Sequence, residues 1–320
     1  MITFDDIIQA QESIAPYIIK TPLLRVKVLD AYIGAEVYLK PENLQSTGSF
    51  KLRGATNKLL SLTAEERAKG VVTASSGNHA QGVACAAQRL GVNALIVMPT
   101  NANPAKLEGA RAFGATVIQC GTTGTQREEK MSEIITAEGR IMVHAFDDPY
   151  VMAGQGTIGL EIMADQPDMD VIVVPVGGGG LISGVATAAK NIKPDIRIIG
   201  MEPTAVNRYA VSRQEGHPVS VEMKQTIADG TRTDMAHQFN FEHIEALVDE
   251  LVAIEDEWIE KGMRGIILKA KIIAEPSSSM GVGAALAGKL RLKPTDKVCF
   301  VISGGNVDPK QVGRICGDVS

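Results

Sequence analysis

Lys51 is the side chain of this sequence that is best placed for covalent chemistry. It stands in TGSFKLRGA, residues 47–55, next to Phe50 and among small residues that predict a tight turn. A lysine that only meets solvent needs no such neighbours, so the segment predicts a sequestered amine. Burial and the nearby cation of Arg53 would both lower the pKa of Lys51, because each disfavours the charged amine. A neutral lysine amine can attack a carbonyl carbon.

Four consecutive glycines predict an anion site. In VVPVGGGGLISG, residues 173–184, an apolar run is followed by four glycines, and a helix is predicted to begin near Leu181; the glycines are Gly177, Gly178, Gly179 and Gly180. Backbone without Cβ atoms can wrap a small anion, and a helix N-terminus adds partial positive charge. The pattern is neither a P-loop nor a dinucleotide fingerprint. It therefore predicts a site for a single phosphate, with a flexible turn as the alternative.

Two further loops carry polar residues directly after predicted strands. The polar residues of TASSGNHAQG, residues 73–82, could bind a carboxylate or simply cap the helix that follows. In CFVISGGNVD, residues 299–308, Ser303 follows a buried strand. Ligands of open α/β sheets bind outside the carboxyl ends of the strands, so these loops are expected to meet in one crevice. A phosphate site beside a sequestered lysine predicts pyridoxal 5'-phosphate as the cofactor.

The elements that must position these residues alternate between strands and helices. Short β-branched runs occupy residues 34–42, 70–75, 94–99, 115–120, 140–145, 170–176, 196–202, 250–254 and 297–305. Longer helical patterns separate them, which predicts an α/β fold with parallel sheets and helices on both faces. The 320 residues exceed the roughly 250–300 that one core serves. Two domains are therefore predicted, with residues 70–147 inserted into a larger cofactor-binding domain of residues 1–69 and 148–320.

Composition excludes several classes of function. A net charge of −5 without a Lys/Arg run argues against nucleic-acid binding. No stretch reaches about 18 consecutive apolar residues, and the N-terminus lacks a signal-peptide pattern, so no membrane contact and a cytoplasmic location are expected. The cysteines and histidines show no zinc-ligand spacing, so no structural zinc is expected.

Six motifs together resemble one enzyme family. STGSFKLRGA, SSGNHAQGVA, AGQGTIGLEI, VPVGGGGLISG, TIADG and SGGNVD occur in the order found in fold type II pyridoxal-phosphate enzymes. The resemblance is to the serine/threonine dehydratase and serine racemase group, and it covers essentially the whole chain. It implies a two-lobed fold whose lobes are each a mainly parallel twisted sheet, and a homodimer or higher homo-oligomer. The chain resembles the short, catabolic type without a regulatory domain.

The resemblance also implies site residues. It assigns cofactor contacts to Phe50, Lys51, Asn78, Gly177, Gly178, Gly179, Gly180 and Ser303. It assigns substrate contacts to Ser75, Ser76, Gly77, His79, Arg127 and Asp229. Lys51 would hold the cofactor as a Schiff base and take the Cα proton, while Ser76 matches the opposite-face base of racemases. Asn78 would face the 3-oxygen of the cofactor, and Ser303 its pyridine nitrogen.

The implied activity is an ammonia-lyase (dehydratase) that converts L-threonine or L-serine to a 2-oxo acid and ammonia. Serine racemase and 3-hydroxyaspartate ammonia-lyase are open alternatives within the family. A non-catalytic amino-acid sensor on the same scaffold is a further alternative, which the intact Lys51 and Asn78 disfavour.

Two departures from the family pattern, and one position at which its members differ, bear on this reading. Residues 275–279 read EPSSS where relatives often read EPSGA or EPTAG, which adds the hydroxyls of Ser278 and Ser279. Racemase-like members bind a cation through two acidic residues and a carbonyl. Glu202 and the Val206 carbonyl match one of these acidic residues and the carbonyl, but Arg208 stands in place of the second acidic residue. No metal is therefore expected, and Arg208 is predicted to pair with Glu202. Phe146 stands where racemase-like members can carry asparagine and the dehydratases carry an aromatic residue.

Overall fold

Two β-sheets organise the chain. The computed structural model describes residues 1–75, 77–102 and 104–317, and within them it contains ten strands. They are β1 (Leu24–Arg25), β2 (Glu36–Pro41), β3 (Val71–Ala74), β4 (Ala94–Met98), β5 (Thr116–Gln119), β6 (Ile141–Met142), β7 (Val171–Pro175), β8 (Arg197–Pro203), β9 (Glu250–Ile254) and β10 (Lys297–Ile302). One sheet has the order β1-β2-β10-β7-β8-β9, and the other β5-β4-β3-β6. Every pairing is parallel except that of β1 with β2.

Helices follow most of the strands. Within the described residues they are α1 (Phe4–Ile14), α2 (Asp30–Ile33), α3 (Lys51–Ser61), α4 (Ala64–Lys69), α5 (Asn78–Leu90), α6 (Pro104–Ala112), α7 (Gly124–Glu138), α8 (Pro149–Asp165), α9 (Gly180–Ile192), α10 (Arg208–Glu215), α11 (Gln238–Leu247), α12 (Asp256–Gly265), α13 (Pro276–Leu286) and α14 (Pro309–Gly317). Thr3, Thr63 and Thr123 form capping boxes at α1, α4 and α7, which fixes where these helices begin. None of the helices in the described ranges is long and apolar enough to cross a membrane.

Both faces of the larger sheet are buried. Along β10, Val298, Phe300 and Ile302 belong to one apolar cluster, while Cys299 and Val301 belong to the cluster on the opposite face. Alternate residues of a strand point to opposite faces, so a strand covered on both sides has to be apolar throughout. This is why the strands were predictable as continuous apolar runs.

The α/β class and the parallel sheets predicted from the sequence are confirmed. β1 was missed because two residues of an antiparallel edge carry no periodic signal. The predicted strand at 140–145 ends at Met142, so residues 143–146 are free to form a loop. The smaller sheet is formed by strands between Val71 and Met142, while the larger sheet uses segments on both sides of it. The division into two domains stays a prediction.

Candidate active site

Lys51 is the first residue of α3, at the carboxyl-end side of the larger sheet. The N–H of the preceding residue, Phe50, donates to the Ser303 carbonyl at 3.0 Å, which ties the start of α3 to the end of β10. The Lys51 amine donates to the Ala145 carbonyl at 2.6 Å and lies 5.0 Å from the centre of the Phe50 ring. Burial lowers the pKa of Lys51 to about 8, and the Glu275 carboxylate partly opposes that shift. The sequestered amine predicted from the sequence is therefore present.

Arg53 does not contribute to this pKa shift, contrary to the prediction. Its guanidinium is fully buried and forms ion pairs with Glu42 at 2.8 Å and Glu161 at 2.7 Å, and Lys40 also contacts Glu161 at 2.5 Å. Two cations and two carboxylates thus neutralise each other beneath α3. The charge of Arg53 is compensated there, so it does not disfavour a second cation at Lys51.

The glycine loop presents free backbone donors. The Arg208 guanidinium donates to the carbonyls of Val176, at 3.1 Å, and of Gly177, and the Tyr209 hydroxyl donates to the Gly178 carbonyl at 2.8 Å. The N–H groups of Gly177, Gly178 and Gly179 donate to no protein acceptor within the described part of the chain. With carbonyls engaged and N–H groups free at the start of α9, the loop is suited to an anion such as a phosphate.

Close packing explains why this loop consists of glycines. A Cβ on Gly178 would come within 2.1 Å of the Phe146 ring, and a Cβ on Gly180 within 2.7 Å of the Phe146 carbonyl oxygen. Gly179 has a φ of +93°, which favours glycine. Phe146 therefore packs directly on the loop, and the residue before it, Ala145, receives the Lys51 amine.

Arg208 contacts the two groups that match cation ligands in racemase-like members. Its guanidinium donates to the Val206 carbonyl at 2.7 Å and lies 3.6 Å from the Glu202 carboxylate. Glu202 also accepts the N–H groups of Tyr209 and Ala210 at 3.0 and 2.9 Å. Arg208 and Glu202 are both buried, so the pairing predicted between them occurs in the interior, directly beneath the glycine loop.

Asn78 lies at the start of α5 and is held by two residues from the C-terminal part of the chain. Its amide donates to both oxygens of Glu275, at 2.9 and 3.1 Å, and its carbonyl accepts the amide of Asn306 at 2.8 Å. Asn306 also donates to the Thr47 carbonyl at 2.8 Å. The three side chains connect the loops that follow β2, β3 and β10. Sequence reasoning gave no role to Glu275 or Asn306.

The serines of EPSSS lie on α13 and have different partners. Ser277 accepts the Gly230 N–H at 3.0 Å and supports the loop that contains Asp229. Ser279 donates to the Glu275 carbonyl at 3.0 Å, within its own helix, so its hydroxyl does not add to the crevice as predicted. Ser278 instead contacts Ser303, with the two oxygens 3.1 Å apart.

Four of the six predicted substrate contacts follow β3 in the sequence, between the end of that strand and the first turn of α5. Ser75 Oγ accepts the Gly77 N–H at 3.3 Å, and both residues are half-buried. The ring of His79 is buried and its Nε2 lies 3.0 Å from the Val143 carbonyl, while burial lowers the pKa of His79 to about 3. A neutral His79 is therefore expected near Lys51. Ser76 lies outside the described residues.

Arg127 lies on α7, which packs on the smaller sheet, whereas Asp229 lies next to the glycine loop. Arg127 is half-buried in the first turn of α7, and its Nε has no hydrogen-bond partner among the described residues. Burial holds the pKa of Arg127 below its usual value. Asp229 begins a short 3₁₀ turn, Asp229–Thr231, and the next residue, Gly230, lies close to Gly177.

A histidine pair beside the glycine loop was not predicted. His144 and His237 lie edge-on to the Phe146 ring, with centroids 4.6 and 4.9 Å from it. Asp147 accepts from Asn240 at 3.1 Å and pairs with His237 at 2.9 Å. Burial lowers the pKa of His144 to about 4, so its Nδ1 accepts the N–H of Asp147 at 2.7 Å. These contacts hold the loop of residues 143–148 against residues 177–180.

Comparison with known proteins agrees with this chemistry. A family described as pyridoxal-phosphate dependent enzyme matches residues 14–304. The chain is 46% identical over 315 residues to the L-threonine ammonia-lyase of Thermotoga maritima, across 98% of this chain and 78% of that protein. It is 41% identical over 319 residues to the catabolic L-threonine dehydratase TdcB of Escherichia coli K12, across 99% and 97% of the two proteins. The structure of maize serine racemase matches with a TM-score of 0.94 at 36% identity, over 98% of this chain and 96% of that one. The resemblance inferred from the six motifs is confirmed, and the chain belongs to the pyridoxal-phosphate-dependent enzyme family.

Proposed function

We propose that this protein is a pyridoxal-phosphate-dependent ammonia-lyase that converts L-threonine and L-serine to 2-oxo acids and ammonia. One structural observation carries the proposal. The Ala145 carbonyl holds the Lys51 amine, and the adjoining Phe146 packs on the glycine loop with its free N–H groups. An amine of lowered pKa and an anion site thus lie beside the same two residues. Relatives named as threonine dehydratases support the substrate class.

The residues present fit the cofactor. The glycine loop would bind its phosphate through the free N–H groups, and Lys51 would hold it covalently through Nζ. Phe50 would pack on the ring, Asn78 would face the 3-oxygen, and Ser303 would donate to the pyridine nitrogen. When bound, pyridoxal phosphate supplies an electron sink that stabilises a carbanion at Cα of the amino acid.

Lys51 would also carry out the proton transfer. When it is not bonded to the cofactor, Lys51 Nζ would accept the Cα proton of the substrate. A pKa near 8 keeps a useful fraction of this amine neutral at physiological pH. Ser75, Ser76, Gly77 and His79 would surround the substrate carboxylate from the side of the smaller sheet, and Asp229 would approach from the opposite loop. The β-hydroxyl would take up a proton and leave as water, and addition of water to the remaining enamine would give the 2-oxo acid and ammonia.

Elimination is expected to exceed racemisation. Racemisation needs an acid on the opposite face of Cα, whereas elimination needs only a protonated leaving group. We expect the ring of Phe146 to pack against the β-methyl group of threonine and so to favour threonine over serine by about 1 kcal/mol, or about fivefold. We expect 2-oxobutanoate to form from L-threonine faster than D-serine forms from L-serine. Chiral chromatography and a 2-oxo-acid assay on the same reaction measure both products.

The serine racemase alternative is supported by the match to the maize enzyme. Faster accumulation of D-serine than of keto acid would establish that alternative. A panel of β-hydroxy amino acids in both configurations also tests 3-hydroxyaspartate as the substrate. A sensor would bind these amino acids without forming any product.

Arg127 is proposed to bind the substrate carboxylate. Its half-buried guanidinium has an Nε without a hydrogen-bond partner in the described ranges, which a carboxylate would supply. We expect Arg127→Ala to raise KM by about tenfold with a smaller change in kcat, because a contact common to ground and transition states is lost. Lys130→Ala is the matched control, since Lys130 lies on the same helix and pairs with Glu133 at 2.8 Å. Equal kinetics of the two variants would assign Arg127 to the surface.

A cytoplasmic location and a homodimer or higher homo-oligomer complete the proposal. Both are inferred from the sequence and its resemblance. Cell fractionation tests the location, and light scattering on the purified protein tests the oligomeric state.

A further inference from the structure

Three consecutive carbonyl groups at the glycine loop are held by two neighbouring side chains. The Arg208 guanidinium donates to the carbonyls of Val176 and Gly177, and the Tyr209 hydroxyl donates to the Gly178 carbonyl at 2.8 Å. Arg208 and Tyr209 are both fully buried at the start of α10. The first residues of α10 therefore hold three peptide groups of the loop, one after another.

The geometry of the peptide group fixes what the opposite side of the loop presents. The peptides of this loop are trans, so each carbonyl points away from the N–H of the following residue in the same plane. Holding the carbonyls of residues 176–178 on the side of α10 therefore turns the N–H groups of Gly177, Gly178 and Gly179 to the other side. These three N–H groups donate to no protein acceptor in the described part of the chain. A phosphate has enough oxygens to accept from all of them.

Tyr209 controls the third of these peptide groups, which joins Gly178 to Gly179. No backbone N–H in the described ranges donates to the Gly178 carbonyl, so the tyrosine hydroxyl supplies the hydrogen bond that this buried residue needs. The His237 N–H donates to the same hydroxyl oxygen at 3.4 Å, which leaves the hydroxyl proton for Gly178. Burial raises the pKa of Tyr209, so the hydroxyl keeps this proton at physiological pH.

The tyrosine hydroxyl occupies the place that a side chain at position 179 would need. A Cβ on Gly179 would come within 2.8 Å of the Tyr209 hydroxyl oxygen. The Tyr209 N–H donates to Glu202 at 3.0 Å, which fixes the start of α10 beneath the loop. The contact between the hydroxyl and the loop therefore depends on glycine at position 179 and on tyrosine at position 209.

We propose that Tyr209 is a positioning residue for the phosphate site, which holds the Gly178 carbonyl and thereby points the Gly179 N–H at the bound phosphate. This inference rests on the cofactor site of the proposed function. Arg208 orients the two preceding peptide groups in the same way, so all three donors are in place before the phosphate binds. A site with donors already oriented binds more tightly, because little ordering is left to be done on binding.

The test compares a ligand that carries the phosphate with one that lacks it. Pyridoxal 5'-phosphate and pyridoxal present the same ring and the same aldehyde to Lys51 and differ only at the phosphate. In the full-length apo-protein, we expect Tyr209→Phe to raise the dissociation constant of pyridoxal 5'-phosphate about fivefold and to leave that of pyridoxal unchanged. Equilibrium dialysis measures both constants.

Tyr38→Phe is the matched control, because it removes the hydroxyl of another buried tyrosine. The Tyr38 hydroxyl donates to Glu36 at the start of β2, at the end of the parallel strands opposite to the glycine loop. Both dissociation constants should therefore keep their wild-type values in this variant.

A second measurement needs no substitution and so does not depend on the folding of a variant. In wild-type protein labelled with ¹⁵N-glycine, the amide resonance of Gly179 should shift when pyridoxal 5'-phosphate binds, together with those of Gly177 and Gly178. Each of these N–H groups gains a charged acceptor in the complex. Pyridoxal should shift the three resonances much less.

Three results would overturn the inference. An unchanged dissociation constant of pyridoxal 5'-phosphate in Tyr209→Phe would show that the hydroxyl does not orient the site. An equal rise for both ligands would make Tyr209 a packing residue only. A Gly179 resonance that does not respond to the phosphate would place its N–H away from the ligand. A wild-type protein that takes up no pyridoxal 5'-phosphate would instead refute the proposed function, and the inference with it.

Discussion

Lys51→Ala is expected to abolish turnover, with a fall in kcat of at least about 10³-fold. The variant loses both the amine that would hold the cofactor and the group that would take the Cα proton. It should retain pyridoxal phosphate only by noncovalent contacts, because the glycine loop is intact. Formation of 2-oxo acid from L-threonine measures the activity. Borohydride reduction followed by peptide mapping shows which lysine carries the cofactor.

Lys58→Ala is the matched control for this prediction. Lys58 lies in the last turn of the same helix and pairs with Asp148 at 2.6 Å, away from the Ala145 carbonyl that receives Lys51. The Lys58 variant should keep its covalent cofactor. A reduced adduct on any lysine other than Lys51 would contradict the assignment, as would turnover that survives in Lys51→Ala.

The parts of the site that depend on short stretches of chain could be predicted from the sequence. A buried strand, a run of glycines and the start of a helix follow one another within residues 171–192. An anion site could therefore be predicted from this segment alone, without knowledge of contacts to distant residues. The same holds for the strands, whose apolar runs reflect burial on both faces of the sheet. Residues 143–145, which form a loop, were read as strand because their apolar residues resemble one.

Contacts between distant segments could not be read in this way. Arg53 stands close to Lys51 in sequence, yet it is neutralised by Glu42 and by Glu161, which lies 108 positions away. Glu275 contacts Asn78 across 197 positions, and Asn306 contacts it across 228. No local pattern marks such pairs, so the pKa argument for Lys51 was right about burial and wrong about Arg53. His237, which contacts Asp147 across 90 positions, was missed for the same reason.

Arg208→Ala is expected to lower the free energy of unfolding by about 3–5 kcal/mol, because removing one partner of a buried ion pair leaves the other charge uncompensated. Glu202 is 1% exposed, and burial already raises its pKa while Arg208 opposes that rise. The carbonyls of Val176, Val206 and Gly177 lose their donor as well. The glycine loop should therefore loosen and retain the cofactor less well. Denaturant titration of the apo-protein and the dissociation constant of pyridoxal phosphate measure the two effects.

Arg213→Ala is the matched control for Arg208→Ala, because Arg213 is another arginine of α10. Arg213 lies in the last turn of that helix, is partly exposed and pairs with Glu245 at 2.6 Å, so its removal should lower the free energy of unfolding by at most about 1 kcal/mol.

Chelators should leave the wild-type protein unchanged, since the Arg208 guanidinium supplies the positive charge that a cation would bring. Arg208→Asp should instead become sensitive to chelators, because it restores an acidic pair around the Val206 carbonyl, and hard cations bind such oxygen ligands. A wild-type protein that loses activity with chelator and regains it with Mg²⁺ would show that Arg208 does not replace a cation.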